Sequence, residues 1–120
     1  MAIHNDFGKE AEKEAQKYLR NKGYSILETN WRFHRAEIDI IALYCSDLVI
    51  VEVKARSGNY LINPEEAVND YKKKLLIEAA NHYAENYPEE INVRFDIISL
   101  IKKENHWQVN HIEDAFEAIL

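Results

Sequence analysis

The sequence predicts an α/β domain in which a central mixed β-sheet is flanked by α-helices, with elements in the order α-β-β-β-α-β-β. Three observations lead there. Two stretches with helical spacing alternate with five strand-like runs. The run Leu48–Ala55 is apolar on both faces at its start, the mark of a central strand covered on both sides. Cys45, Ser46 and Asp47 separate it from a second apolar run, so the two form an antiparallel hairpin. A helix–sheet–helix sandwich is the architecture that buries such elements.

The first helix spans about Asp6 to Lys22. Phe7, Ala11, Ala15, Tyr18 and Leu19 recur along one stripe, and Gly23 stops the helix. Tyr24–Thr29 reads as a short strand, Trp31–Tyr44 as a long one, and Leu48–Ala55 as the third. Asn63 caps the second helix, Pro64 takes its first position and Glu66 completes a capping-box-like pattern. That helix continues to about Asn86, and Pro88 ends it. Val93–Ile101 and Trp107–Ile112 are the last strands, and Asp114–Leu120 reads as a short terminal helix.

A chain of 120 residues suits one domain, residues 1–120, with a core that needs no staples. With 47% hydrophobic and 30% charged residues it is not a disordered sequence. No run is long and apolar enough to span a bilayer, and the opening MAIHNDFGKEAEKE has no apolar secretory core. A single cysteine, Cys45, excludes an internal disulfide, so a cytoplasmic location is the default. The net charge of −6 argues against a protein that coats nucleic acid. It leaves room for an enzyme with a local basic patch and acidic metal ligands.

The chemistry concentrates in the hairpin. On Leu48–Ala55, Val49, Val51 and Val53 share one face, while Leu48, Ile50, Glu52 and Lys54 share the other. On the partner run, Glu37 and Asp39 fall on the face of Ile41 and Leu43. An even-numbered loop sets Asp39 directly opposite Glu52, so two carboxylates and an amine converge at one end of an apolar hairpin. Carboxylates this close raise each other's pKa. A hard divalent cation such as Mg²⁺ relieves the repulsion and also takes up phosphate oxygens. Lys54, two residues beyond Glu52, can orient a water or offset phosphate charge. The backbone carbonyl of Val53 joins Asp39 and Glu52 in the expected cation site. The same spacing also fits a solvated Glu52–Lys54 ion pair at a strand end, and a bare acid-then-E-x-K pattern recurs by chance.

In the second helix, Val68, Leu75, Leu76, Ala79 and Tyr83 gather on one side with Lys72 in their midst; Lys73 and Lys74 point elsewhere, to solvent. A lysine there either snorkels or meets an acid. Glu12 lies at the edge of the first helix's stripe, and from spacing alone it reads as an ordinary boundary glutamate.

Taken together, the motifs resemble the bacterial YraN-like family of the PD-(D/E)XK nuclease superfamily, whose relatives include Holliday-junction resolvases. The matching pieces run almost end to end. They are Gly8-x-x-Ala11-Glu12-x-x-Ala15, Gly23-Tyr24-x-Ile26-Leu27, Asn30-x-Arg32 and Glu37-Ile38-Asp39-Ile40-Ile41-Ala42. They continue with Val49-x-Val51-Glu52-Val53-Lys54-x-Arg56, Ala67-Val68, Lys72 with Leu75, and Arg94-Phe95-Asp96-Ile97-Ile98. Their order and spacing are specific as a set. One departure is visible: Ala36 stands where the family usually has Gly before the acidic run.

The resemblance implies a restriction-endonuclease-like core. It assigns Asp39 and Glu52 as metal ligands with Glu37 in support, Lys54 as the catalytic lysine, and Glu12 and Lys72 as further members of the site. Arg32, His34, Arg35 and Arg56 lie near the motif and are candidates, with Lys72, for binding phosphates, although an ordinary polar strand end explains them equally. The expected activity is Mg²⁺- or Mn²⁺-dependent hydrolysis of phosphodiesters in DNA, branched or recombination DNA included. No membrane partner is expected, and a homodimer stays open. The competing readings are a non-catalytic nucleic-acid-binding domain of the same fold and a protein-interaction module that the acidic charge would suit.

Overall fold

A computed structural model of the chain describes residues 3–58 and 68–117. Its elements follow the expected order: α1 (Ile3–Asn21), β1 (Ser25–Phe33), β2 (Ala36–Tyr44), β3 (Asp47–Ser57), α2 (Asp70–Glu85), β4 (Asn92–Lys102) and β5 (Trp107–Phe116). The five strands form one mixed sheet in the order β1-β2-β3-β4-β5. All neighbours are antiparallel except β3 and β4, which run parallel, with α2 in the crossover between them.

The helices cover opposite faces, and their apolar stripes explain why. Ala11, Ala15 and Leu19 of α1 are fully buried. Ala15 and Leu19 pack with Ile40, Ala42, Val49, Val51, Ile98 and Leu100. Leu76, Ile77, Ala79 and Ala80 of α2 pack on the other face against Ile38, Ile41, Leu48, Ile50, Phe95 and Ile97. β3 thus buries Val49 and Val51 under α1, and Leu48 and Ile50 under α2, as its two apolar faces require. Gly23 ends α1 at φ +94°, and the following Tyr24 N–H bonds back to Leu19 O at 3.0 Å.

Four boundaries differ from expectation. The single strand Trp31–Tyr44 is in fact parts of two, because a tight turn at His34 and Arg35 reverses the chain. His34 itself takes φ 56° there, so no glycine marks the turn. Cys45 does the same at φ 54° in the next turn, which leaves Asp47 in β3. The Asn63, Pro64 and Glu66 signals lie outside the described residues; α2 begins at Asp70, where the Asn69 side chain accepts from Lys72 N–H at 2.9 Å. At the other end, Asp114–Phe116 continue β5 instead of opening a helix, because Phe116 pairs and stacks with Phe95.

Candidate functional site

The sheet forks where the acids lie. The β2–β3 ladder runs from Tyr44↔Asp47 to Ile40↔Val51 and stops. Beyond it, β2 stays with β1 while β3 stays with β4 as far as Ser57↔Lys102. Asp39 and Glu52 are therefore the first residues past the parting and are not a ladder pair, although the turn has the expected even length. The strict two-residue alternation is also broken here, since Ile38 packs with Ile41 under α2 whereas Ile40 packs under α1. Released from β2, the N–H of Val53 donates to Asp39 Oδ2 at 2.8 Å.

Around this fork the structure gathers Glu12 from α1, Asp39 from β2, Glu52, Val53 and Lys54 from β3, and Lys72 from α2. They line one open pocket of about 320 Å³ with Phe7 and Gly8 at the start of α1. Glu52 is only 4% exposed. Both lysines bear on its Oε2: Lys72 forms a close ion pair, and Lys54 lies at 3.5 Å. Its other oxygen, Oε1, is buried and has no hydrogen-bond partner. Lys72 therefore meets an acid instead of snorkelling, and Lys54, 14% exposed, is not a solvated partner at a strand end.

The electrostatics follow from burial and crowding. Burial, then the charge of Glu52, push the Asp39 carboxyl up to about 8, with Glu12 adding to the effect and the Val53 N–H opposing it. Burial, with Lys72 nearby, lowers the Lys54 ammonium against the opposing pull of Glu52. Lys72 is raised, because its contact with Glu52 outweighs its burial.

A divalent cation fits this donor set. A buried carboxylate oxygen without a partner is a costly feature, and Asp39 is a carboxylate that loses its proton readily only beside added positive charge. Among the described residues, no three His, Cys, Asp or Glu side chains lie close enough together to hold a metal ion by themselves, so a cation here would depend on Asp39, Glu52 and oxygens from water or substrate.

The other predicted residues stand apart from this pocket. Arg32 pairs with Glu37 across the β1–β2 ladder at 3.3 Å, an exposed contact. Arg35 lies in the β1–β2 turn, beside the start of α2. The Arg56 guanidinium donates to the Ala55 carbonyl at 2.7 Å. Lys73, expected in solvent, has its ammonium 5.4 Å from the centre of the Phe116 ring.

A second polar cluster escaped the sequence reading. Asp96 on β4 is buried, and its carboxylate accepts from Arg94 at 2.9 and 2.8 Å and from Asp114 N–H at 3.0 Å. His111 Nε2 lies 2.7 Å from Asp96 Oδ2, and His111 Nδ1 lies 3.2 Å from the Tyr18 hydroxyl. Arg94 also donates to the Tyr24 hydroxyl at 2.6 Å. Despite its burial, Asp96 is held below the usual carboxylate range by His111 and Arg94. Tyr24, Arg94 and Asp96 were visible only as pieces of motifs and Tyr18 only as a member of the α1 stripe; His111 carried no local signal.

A family model matches residues 11–100, a span that holds every member of the pocket from Ala11 through Lys72, and the Arg94–Asp96 pair. This chain belongs to the uncharacterised protein family UPF0102. The YraN-like resemblance is borne out as membership of this family. A UPF0102 protein of Parabacteroides distasonis is 48% identical over 118 residues, 98% of each chain. One from Flavobacterium psychrophilum is 47% identical over 116 residues, 97% of this chain and 98% of the relative. One from Phocaeicola vulgatus is 44% identical over 116 residues, 97% of this chain and 96% of the relative. No helix among the described residues is long and apolar enough to cross a membrane.

Proposed function

We propose that this UPF0102 chain is a metal-dependent nuclease of the PD-(D/E)XK type that hydrolyses phosphodiesters in DNA, branched or recombination DNA among its substrates. The observation that carries the reading is the pairing of a bare, buried Glu52 Oε1 with a neighbouring Asp39 carboxyl pushed up to about 8. Such a pair is expensive in a structural role and useful as a cation site.

Asp39, Glu52 and the Val53 carbonyl would hold Mg²⁺ or Mn²⁺, with Glu12 at the pocket wall completing the acidic set. When bound, the cation supplies charge neutralisation and Lewis-acid polarisation of a phosphoryl oxygen. The rest falls to the chain. Lys54, whose ammonium is lowered, is suited to exchange a proton with an attacking water. Lys72, whose charge is reinforced, is suited to a non-bridging phosphate oxygen. Arg35 lines an adjoining groove that Lys72 shares and would add a second cation for the backbone, so binding should weaken as salt rises.

The test is a cleavage screen over single-stranded, duplex, flap and four-way DNA, in Mg²⁺, Mn²⁺ or EDTA. Metal-dependent cutting of any of them supports the proposal. Binding without cutting would make the chain a non-catalytic nucleic-acid-binding domain, and no binding would leave the interaction module.

A further inference from the structure

Next to the acidic pocket lies a second groove of about 290 Å³, and Lys72 belongs to the walls of both. The second groove also holds Tyr71 and Asn69 at the start of α2, Leu75 one turn on, and Arg35 and Glu37 of the β1–β2 hairpin. Tyr71 is 60% exposed and is the one exposed large hydrophobic side chain among the described residues. The Tyr71 ring, in the first turn of α2, is not a member of the core that this helix covers.

We propose that this groove seats an unpaired nucleotide next to the phosphate at which the chain cuts, its base stacked on Tyr71. The inference rests on the nuclease reading and names the substrate class: nucleic acid with single-stranded character beside the cleavage point. Three features carry it. Lys72 joins the groove directly to the acid site, so a strand with one phosphate at Lys72 passes into it. Arg35, at the hairpin side, supplies a second cation for the neighbouring phosphate. An exposed aromatic ring, Tyr71, and the aliphatic Leu75 line the same groove as the two cations. Cations together with an aromatic ring are how sequence-tolerant single-strand binders hold backbone and base together. Glu37 lines the same groove, but its carboxylate is engaged by Arg32 at 3.3 Å. A fully paired duplex keeps its bases stacked inside and offers none to Tyr71. The larger groove near Trp31 and Tyr83 fits less well, since those rings already pack on each other, 5.2 Å apart, and the carboxylate there is Glu28.

The test compares wild type, Tyr71→Ala and Tyr71→Trp for binding to two fluorescein-labelled DNAs in EDTA: a blunt duplex, and the same duplex with a single-stranded arm. Tyr71→Ala should weaken binding to the armed DNA by about 5- to 100-fold, the range set by one base–aromatic stack. It should leave the blunt duplex unchanged, and Tyr71→Trp should retain wild-type affinity for the armed DNA. Equal binding of the armed DNA by wild type and Tyr71→Ala would overturn the inference while leaving the nuclease reading intact. A loss of equal size on both DNAs would also overturn it, since the ring would then not be reading an unpaired base. If wild type neither binds either DNA nor cuts in Mg²⁺, the nuclease reading fails and this one falls with it.

Discussion

Where β2 and β3 part, the backbone N–H of Val53 donates to Asp39 Oδ2 at 2.8 Å. The bond spans the fork and fixes the carboxyl that burial and Glu52 together push up to about 8. Its folded pKa therefore lies above its ordinary value of 3.8. A folded state that binds the extra proton gains stability from it, fully below about pH 4, and loses it as the pH rises through about 8. Urea unfolding in EDTA between pH 5 and 9 should show stability falling with pH. Asp39→Asn, which still accepts from Val53, should flatten that slope. A slope unchanged in the variant would place its origin elsewhere.

Divalent metal should reverse the penalty. Mn²⁺ at about 100 times its Kd stabilises a one-site protein by roughly 2.7 kcal/mol, so Tm should rise with added metal at pH 8. Glu52→Gln removes the bare Oε1 carboxylate and should erase the rise. Metal should also bind more weakly at pH 6, where it must displace the Asp39 proton. A metal-induced Tm shift that survives Glu52→Gln would move the cation off this site.

Lys54 separates turnover from binding. If it exchanges the proton of the attacking water, Lys54→Met, which keeps the stem, should lower cleavage by about 10²- to 10⁴-fold and leave DNA affinity near wild type. Its folding should weaken too, by roughly 1–3 kcal/mol, because buried Glu52 loses one of its two cations. Equal cleavage by variant and wild type, on DNA the wild type cuts, would remove Lys54 from the chemistry.

The Asp96 cluster should prove structural in a measurable way. Asp96→Ala leaves the largely buried side chains of Arg94 and His111 without their shared acceptor, and breaking such a pair typically costs about 3–5 kcal/mol. Because Asp96 is held low, its contribution is present above the ordinary carboxylate range and fades as pH falls below it. Acid unfolding of wild type should therefore be steeper than that of Asp96→Asn. A loss under about 1 kcal/mol would mean that Arg94 and His111 find other partners.

Element types were legible where periodicity was strong, and boundaries failed where non-local packing decided them. Asn63 and Asn69 offer the same capping chemistry, and local pattern cannot choose between them. The His34–Arg35 turn hid inside a strand-like run because its positive-φ residue is neither Gly nor Asn. Phe116 is held in β5 by Phe95, far away in sequence. In the site, Asp39, Glu52 and Lys54 could be read because one hairpin brings them together. Lys72 was readable as a charge out of place on an apolar stripe. His111, Tyr18 and Tyr24 could not be, since their meeting point is assembled from α1, β5 and the segment between α1 and β1. Tyr71 was equally silent, for an exposed aromatic has no periodicity to betray it.

The parallel pairing of β3 with β4 sets an order of events for the growing chain. The acids come from neighbouring strands across a tight turn, which closes early at little loop entropy. Asp47 meets Asn92 only after the whole of α2 has been made, so Lys72 and the parallel ladder arrive late. A nascent chain that has reached Ser57 but not Asp70 holds Asp39 and Glu52 with Lys54 but without Lys72, and with α1 but not α2 to cover the sheet. For that interval, divalent metal would be the natural substitute for Lys72, so refolding should be faster with Mn²⁺ present than in EDTA. Identical refolding rates would show that the acids meet only once α2 is in place.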